Sequence, residues 1–156
     1  VGQQISVRAA DAIWNRLDEA CNNSITEDNL LQLSIEDMRR TGLSNTKSNY
    51  IINIVKANLT DLNWENMNDD EVSNELCKIK GIGPWTADMF LIFRLGRTNI
   101  LPLGDIGLVN AINLHYNNKD KLSKEELMKF KKKWSPWCSI ATWYMWRSLD
   151  PVPVEY

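Results

Sequence analysis

The chain has 156 residues, 44% hydrophobic and 24% charged, an ordinary balance for one globular domain or two small lobes with a real core. Its net charge of −2 excludes a protein held to nucleic acid by bulk electrostatics, so any such binding must use a local patch. Cys21, Cys77 and Cys138 are far apart and follow no disulfide or metal spacing, and no apolar run is long enough to span a bilayer.

In chain order, nearly every segment carries a helical period. Ile5, Ala9, Ala12, Ile13, Leu17 and Ala20 form one stripe, ended by Cys21-Asn22-Asn23-Ser24. The chain opens on Val1 in what reads as the middle of an element, so upstream residues are expected. Thr26 caps a short helix through Leu31, and Ser34 caps another stopped by Gly42. Ser44 caps a helix through Leu59 that turns Tyr50, Ile51, Ile54 and Val55 inward. Asp69 or Asp70 opens a helix carrying Val72, Leu76 and Ile79. The next runs from Pro84 to Leu95, with Gly96 at its end. A helix over 105–116 precedes the polar stretch 117–120, and Ser123 with Glu126 has capping-box spacing. Pro136 starts the last helix, which ends near Asp150. Nothing alternates like a strand, so the fold class is all-α: two small helical lobes around a groove, with a helical hairpin at about 72–95.

The hairpin turn Lys80-Gly81-Ile82-Gly83-Pro84-Trp85 joins two apolar patterns. Gly81 and Gly83 permit unusual backbone angles and close approach of another backbone. With the free amides that begin the next helix, they make a seat for a phosphate oxygen. Further on, Asp105 sits alone in Leu-Pro-Leu-Gly-Asp-Ile-Gly at a helix start. A phosphate cradle followed by an isolated acid points to an enzyme acting on nucleic acid. Each feature also has a structural reading: a connecting turn, a helix cap, a tryptophan core at Trp134, Trp137, Trp143 and Trp146, a solvated face at Lys129 and Lys131–Lys133. His115, the single histidine, reads as a local hydrogen-bonding group. Two-histidine metal sites, nucleophile elbows and phosphate-binding loops ending in Gly-Lys-Ser/Thr are absent. Elimination leaves a carboxylate acting in an aromatic pocket.

Several segments carry a family resemblance: Gly2-Gln3-Gln4-Ile5-Ser6 with Ala9-Ala10, Gly42-Leu43-Ser44 with Lys47, and Ile79 through Ala87. Gly104-Asp105-Ile106-Gly107, Trp134-Ser135-Pro136-Trp137 and Tyr144-Met145-Trp146-Arg147 extend it. Together they resemble the helix-hairpin-helix DNA glycosylases, in the branch of 3-methyladenine DNA glycosylase II, over nearly the whole chain. The resemblance implies a base-flipping enzyme that releases alkylated, cationic purines from double-stranded DNA, with Asp105 as the catalytic carboxylate. It implies backbone contacts to DNA from Lys80, Gly81, Ile82, Gly83 and Thr86, and Gln4 filling the gap left by the extruded nucleotide. Trp85, Met89 and Trp146 fall at base-pocket positions, and the carbonyls of Ile79 and Gly81 where a Na+ or K+ is held.

Two differences place the chain within that superfamily. Lyase-competent relatives carry a lysine where this chain has Trp85, so a monofunctional hydrolase is expected. Relatives with an iron–sulfur cluster use four cysteines near the C-terminus, where only Cys138 stands, so no cluster and no other cofactor is expected. Cys138 also replaces an arginine common in the family, and Met89 stands where the best-known member carries a tyrosine. A monomer inside the cell is expected, in cytoplasm and nucleoid or in the nucleus. The competing reading is a non-catalytic helix-hairpin-helix DNA-binding module.

Overall fold

The computed structural model describes residues 1–2, 5–117 and 120–149. Among these the secondary structure is entirely helical: α1 Val7–Ala20, α2 Glu27–Gln32, α3 Ile35–Arg40, α4 Asn45–Lys56, α5 Asp69–Cys77, α6 Pro84–Met89, α7 Ile106–Tyr116, α8 Lys124–Trp134 and α9 Cys138–Arg147. None is long and apolar enough to cross a membrane. The chain divides into two compact units, one of residues 1–63 with 78–82, the other of 64–77 and 83 onward.

The first unit is built from capped helices. Side-chain oxygens of Ser6, Thr26, Ser34 and Ser44 each accept an amide hydrogen from the first turn of α1, α2, α3 and α4. Such a cap satisfies one otherwise orphaned N–H and stabilises a helix by about 1 kcal/mol. Leu17, Cys21, Leu30, Met38, Leu43 and Val55 form the buried core. The face of α4 is set differently from the sequence expectation. Ile51 and Val55 turn inward as expected, but Ile54 is 37% exposed and Ile52 packs on the core in its place. The helix also stops at Lys56 rather than Leu59, because Asn58 takes a left-handed conformation (φ 48°). Asparagine tolerates that region better than most residues.

In the second unit, Val72 and Leu76 of α5 and Ala87 of α6 are buried where these two helices pack. The cap of α5 is Asn68, one residue before the expected acid. Its amide donates to Glu71 (2.8 Å) and its side-chain oxygen accepts the Glu71 amide (2.9 Å). Ile79 lies past the end of α5. Leu108, Ile112, Leu127 and Phe130 form a second core, with Trp134 and Met145 packed against it. Ser123 and Glu126 close the anticipated capping box at α8.

The tryptophan-rich segment is core only in part: Trp134 packs against the second core. Trp137 and Trp143 are 56% and 41% exposed, and α9 begins at Cys138, two residues beyond Pro136. It ends at Arg147, with Ser148 as its C-cap, rather than near Asp150. Lys131 leaves the solvated face assigned to it: its ammonium donates to the Asn99 carbonyl. Cys21 and Cys138 are buried, whereas Cys77 is exposed, and all three are free thiols.

Candidate active site

Local hydrogen bonding in the second unit puts Asp105 in place. Ser139 of α9, nearly buried, donates its hydroxyl to the Arg97 carbonyl (2.6 Å) and accepts the Ile100 amide (3.0 Å). Its own amide donates to the Thr98 carbonyl (2.9 Å), so the loop after α6 is tied to α9. Pro102 is buried in that loop, and the Asp105 amide donates to its carbonyl (2.9 Å). Asp105 is then the N-cap of α7, its Oδ1 accepting the Leu108 amide at 2.7 Å. The cap reading of this residue therefore holds.

The carboxylate has two further partners. The indole N–H of Trp85 donates to Oδ2 (2.8 Å), and that of Trp146 donates to Oδ1 (2.7 Å). Asp105, Trp85 and Trp146 were anticipated as one site, and here they meet. What the sequence did not disclose is that both rings turn their polar edges to the acid. Gly107 makes room for this: a Cβ there would stand 3.1 Å from Asp105 Oδ1 and 3.5 Å from Trp146 Cδ1. Met89 follows Trp85 by one helical turn and is half-buried.

Phe93 was not anticipated. It is 66% exposed and stacks on Trp146, ring centroids 6.0 Å apart and planes within 16°. It is presented by a π-helical segment, Phe90–Arg94, that continues α6 in place of the regular helix expected through Leu95. The Leu95 amide reaches back five residues to the Phe90 carbonyl (3.1 Å), and Gly96 closes the turn at φ 63°. Such wide turns concentrate at functional sites.

The hairpin turn belongs to the first unit up to Ile82. Gly81 has φ 113°, and a Cβ there would lie 2.2 Å from Tyr50 Cγ, so the tyrosine ring lies directly on the glycine backbone. The Lys80 carbonyl accepts from the Asn53 side chain (3.0 Å), and the Ile79 carbonyl accepts the Ile82 amide (3.0 Å). An ion at Ile79 would therefore use that oxygen's second lone pair. Among the described residues no group of three acidic, histidine or cysteine side chains is arranged for a metal. Gly83 is the N-cap of α6 with Pro84 at the first position, and a Cβ at Gly83 would meet nothing within 4 Å. Thr86 lies in the first turn of α6, and Lys80 is exposed. Gln4 lies outside the described residues. His115 shares a hydrogen bond with Ser148 (2.8 Å) and takes no part in the site.

A second ionisable group escaped the sequence reading. Asp88, on α6, lines a cavity of about 540 Å³ with Asp69 and Asp70 of α5 and Lys131 of α8. Burial pushes its carboxyl up to about 6, against the pull of Lys131. The folded protein therefore binds a proton that the unfolded chain releases near pH 4. Stability contributed by this group is present below pH 4 and is lost as pH rises towards 6. Asp88→Asn should raise stability at pH 7.5 by about 1 kcal/mol, the two-unit shift being discounted for a half-exposed group. Thermal melts at pH 4 and 7.5 check this, since the gain must vanish at the lower pH.

A family model described as HhH-GPD superfamily base excision DNA repair protein matches residues 1–136. YfjP of Bacillus subtilis (strain 168) is 38% identical over 125 residues, covering 78% of this chain and 44% of that protein. A Bacillus halodurans DNA-3-methyladenine glycosidase has a similar crystal structure (TM-score 0.81, 32% identity), covering 94% of this chain and 70% of that one. A Schizosaccharomyces pombe 3-methyladenine DNA glycosylase in complex with abasic DNA also matches, at TM-score 0.83 and 30% identity, covering 94% and 75%. The chain thus spans less than half of YfjP and about three quarters or less of the two solved proteins.

Proposed function

Because the chain belongs to the HhH-GPD superfamily of base excision DNA repair proteins, we propose that it is a monofunctional DNA glycosylase. It hydrolyses the N-glycosidic bond of alkylated purines such as 3-methyladenine in double-stranded DNA. The observation that carries this reading is the Asp105 carboxylate held by Trp85, Trp146 and the first turn of α7. A non-catalytic DNA-binding module would have no use for two indoles converging on one acid.

The target base must leave the stack before its glycosidic bond can be reached, at a cost of a few kcal/mol that is lower for damaged pairs. Backbone groups of Lys80 through Gly83, with Thr86, grip the phosphates beside the lesion and offset part of that cost. The open space in front of Gly83 suits such an approach. Gln4 fills the vacated position in the duplex. An alkylated purine is cationic, and an indole face attracts it by about 0.5–2 kcal/mol. That separates damaged from undamaged bases only in part.

As the bond breaks, positive charge grows on the sugar. Asp105 lowers the energy of that state electrostatically and helps to place the attacking water. Trp85 supplies no amine where a lyase needs one, so no Schiff base forms and the product is an intact abasic strand. A Na+ or K+ on the Ile79 and Gly81 carbonyls would only fix the turn, and no step depends on it. Such a protein works where the genome is, in the nucleoid or the nucleus.

The test is release of free base from methylated double-stranded DNA by the purified protein. We expect methylated purines in the supernatant and strands that break only when the abasic sites are heated in alkali. Folded protein that binds DNA and releases nothing would leave the non-catalytic module as the better reading.

A further inference from the structure

We infer that Trp85 and Trp146 serve the reaction through their N–H edges, as positioning residues that fix Asp105 and leave one lone pair of its Oδ2 facing the substrate. This rests on the proposed role of Asp105 and adds to it a division of labour between the two oxygens.

An ionised carboxylate offers about four acceptor positions. Oδ1 receives two donors, the Trp146 indole and the Leu108 amide, both at 2.7 Å. Oδ2 receives one, the Trp85 indole at 2.8 Å. Oδ1 is saturated and structural; Oδ2 is the working oxygen, aimed by Trp85. Bonds of this kind, to a charged acceptor, are about twice as strong as neutral ones and fix direction. The donors are themselves held in place. Phe93 stacks on Trp146, and the missing side chain at Gly107 lets the indole edge approach. Trp85 stands in the first turn of α6, behind Pro84 at its first position.

Edge and face can be separated, because phenylalanine keeps an aromatic face and lacks the N–H. The experiment measures single-turnover base release, affinity for the same methylated duplex and melting temperature. It compares the wild-type protein with Trp85→Phe and Trp146→Phe, and repeats each substitution in the Asp105→Asn background. Each substitution should slow release about 10- to 100-fold, with affinity for lesion DNA changed less than about threefold. Trp85→Phe should cost more, since Oδ1 keeps the Leu108 amide when Trp146 is changed, whereas Oδ2 loses its one donor. In the Asp105→Asn background neither substitution should slow release further, because each acts through the carboxylate.

Rates like wild type in both variants would overturn the inference, leaving the rings as stacking surfaces. Slowing that persists undiminished in the Asp105→Asn background, with a lower melting temperature, would overturn it too, in favour of a packing role. A larger loss for Trp146→Phe would reverse the assignment of the two oxygens. Wild-type protein that releases no base would instead remove the glycosylase reading, and the inference with it.

Discussion

Asp105→Asn slows base release by about 100- to 1,000-fold or more, the range seen when one preorganised charge-stabilising group is removed, while affinity for damaged DNA stays near wild type. The substitution is less innocent than its shape suggests. Both carboxylate oxygens face N–H donors, so the amide nitrogen of an asparagine must meet either the Trp85 indole or the donors at Oδ1. One partly buried donor then loses its bond, which costs about 1 kcal/mol. The variant should melt a few degrees lower yet remain folded at 25 °C. Single-turnover release, duplex affinity and a melting curve on the same preparation check the three parts. Excision at more than a tenth of the wild-type rate would take Asp105 out of the mechanism.

Gly81→Ala should be the costly change in the hairpin, and the loss is one of folding rather than of DNA contact. A side chain at φ 113° is strained by roughly 1–3 kcal/mol, and the new Cβ would lie 2.2 Å from Tyr50 Cγ. Displacing the ring adds about 1–3 kcal/mol of overpacking. A loss of about 3 kcal/mol lowers the melting temperature by about 6–12 °C in a chain of this size. Adding Tyr50→Ala should recover the steric part and leave the backbone strain, a coupling that a double-mutant cycle reads directly. Gly83→Ala is the control, because its φ of −104° is open to any residue and its Cβ would meet nothing. A fall in DNA affinity there, with stability unchanged, isolates the contact to the backbone. Equal melting temperatures for Gly81→Ala and wild type would show that the tyrosine moves aside freely.

The parts of the fold legible in the sequence are those fixed by neighbours within one turn. The Thr26, Ser34, Ser44 and Ser123 caps depend on a hydroxyl and an amide three residues apart, and all four form. Asn68 was obscured because three acids follow it and any of them could open a helix. The rotation of α4 that turns Ile52 onto the core and exposes Ile54 depends on what packs against it, and its apolar run fits either phase. The site shows the same boundary. Asp105, Trp85 and Trp146 could be nominated from motif order, but the direction of each indole depends on partners 20 and 41 residues away. Phe93 could not be nominated at all. It lies in an apolar run that reads as ordinary helix, and its contact with Trp146 spans more than fifty residues. Asp88 left one trace, a single acid inside the apolar run that follows Trp85.

The widened turn at Phe90–Arg94 amounts to one surplus residue spliced into an α-helix. Each residue of a regular helix advances about 100° around the axis, so the surplus re-clocks everything that follows it. Deleting a residue there would tidy the helix and carry the phenylalanine ring a quarter-turn or more off its indole neighbour. Irregularity at this point is what aims the ring, so a shortened relative would keep the acid and its two indoles while losing the stacked lip beside them.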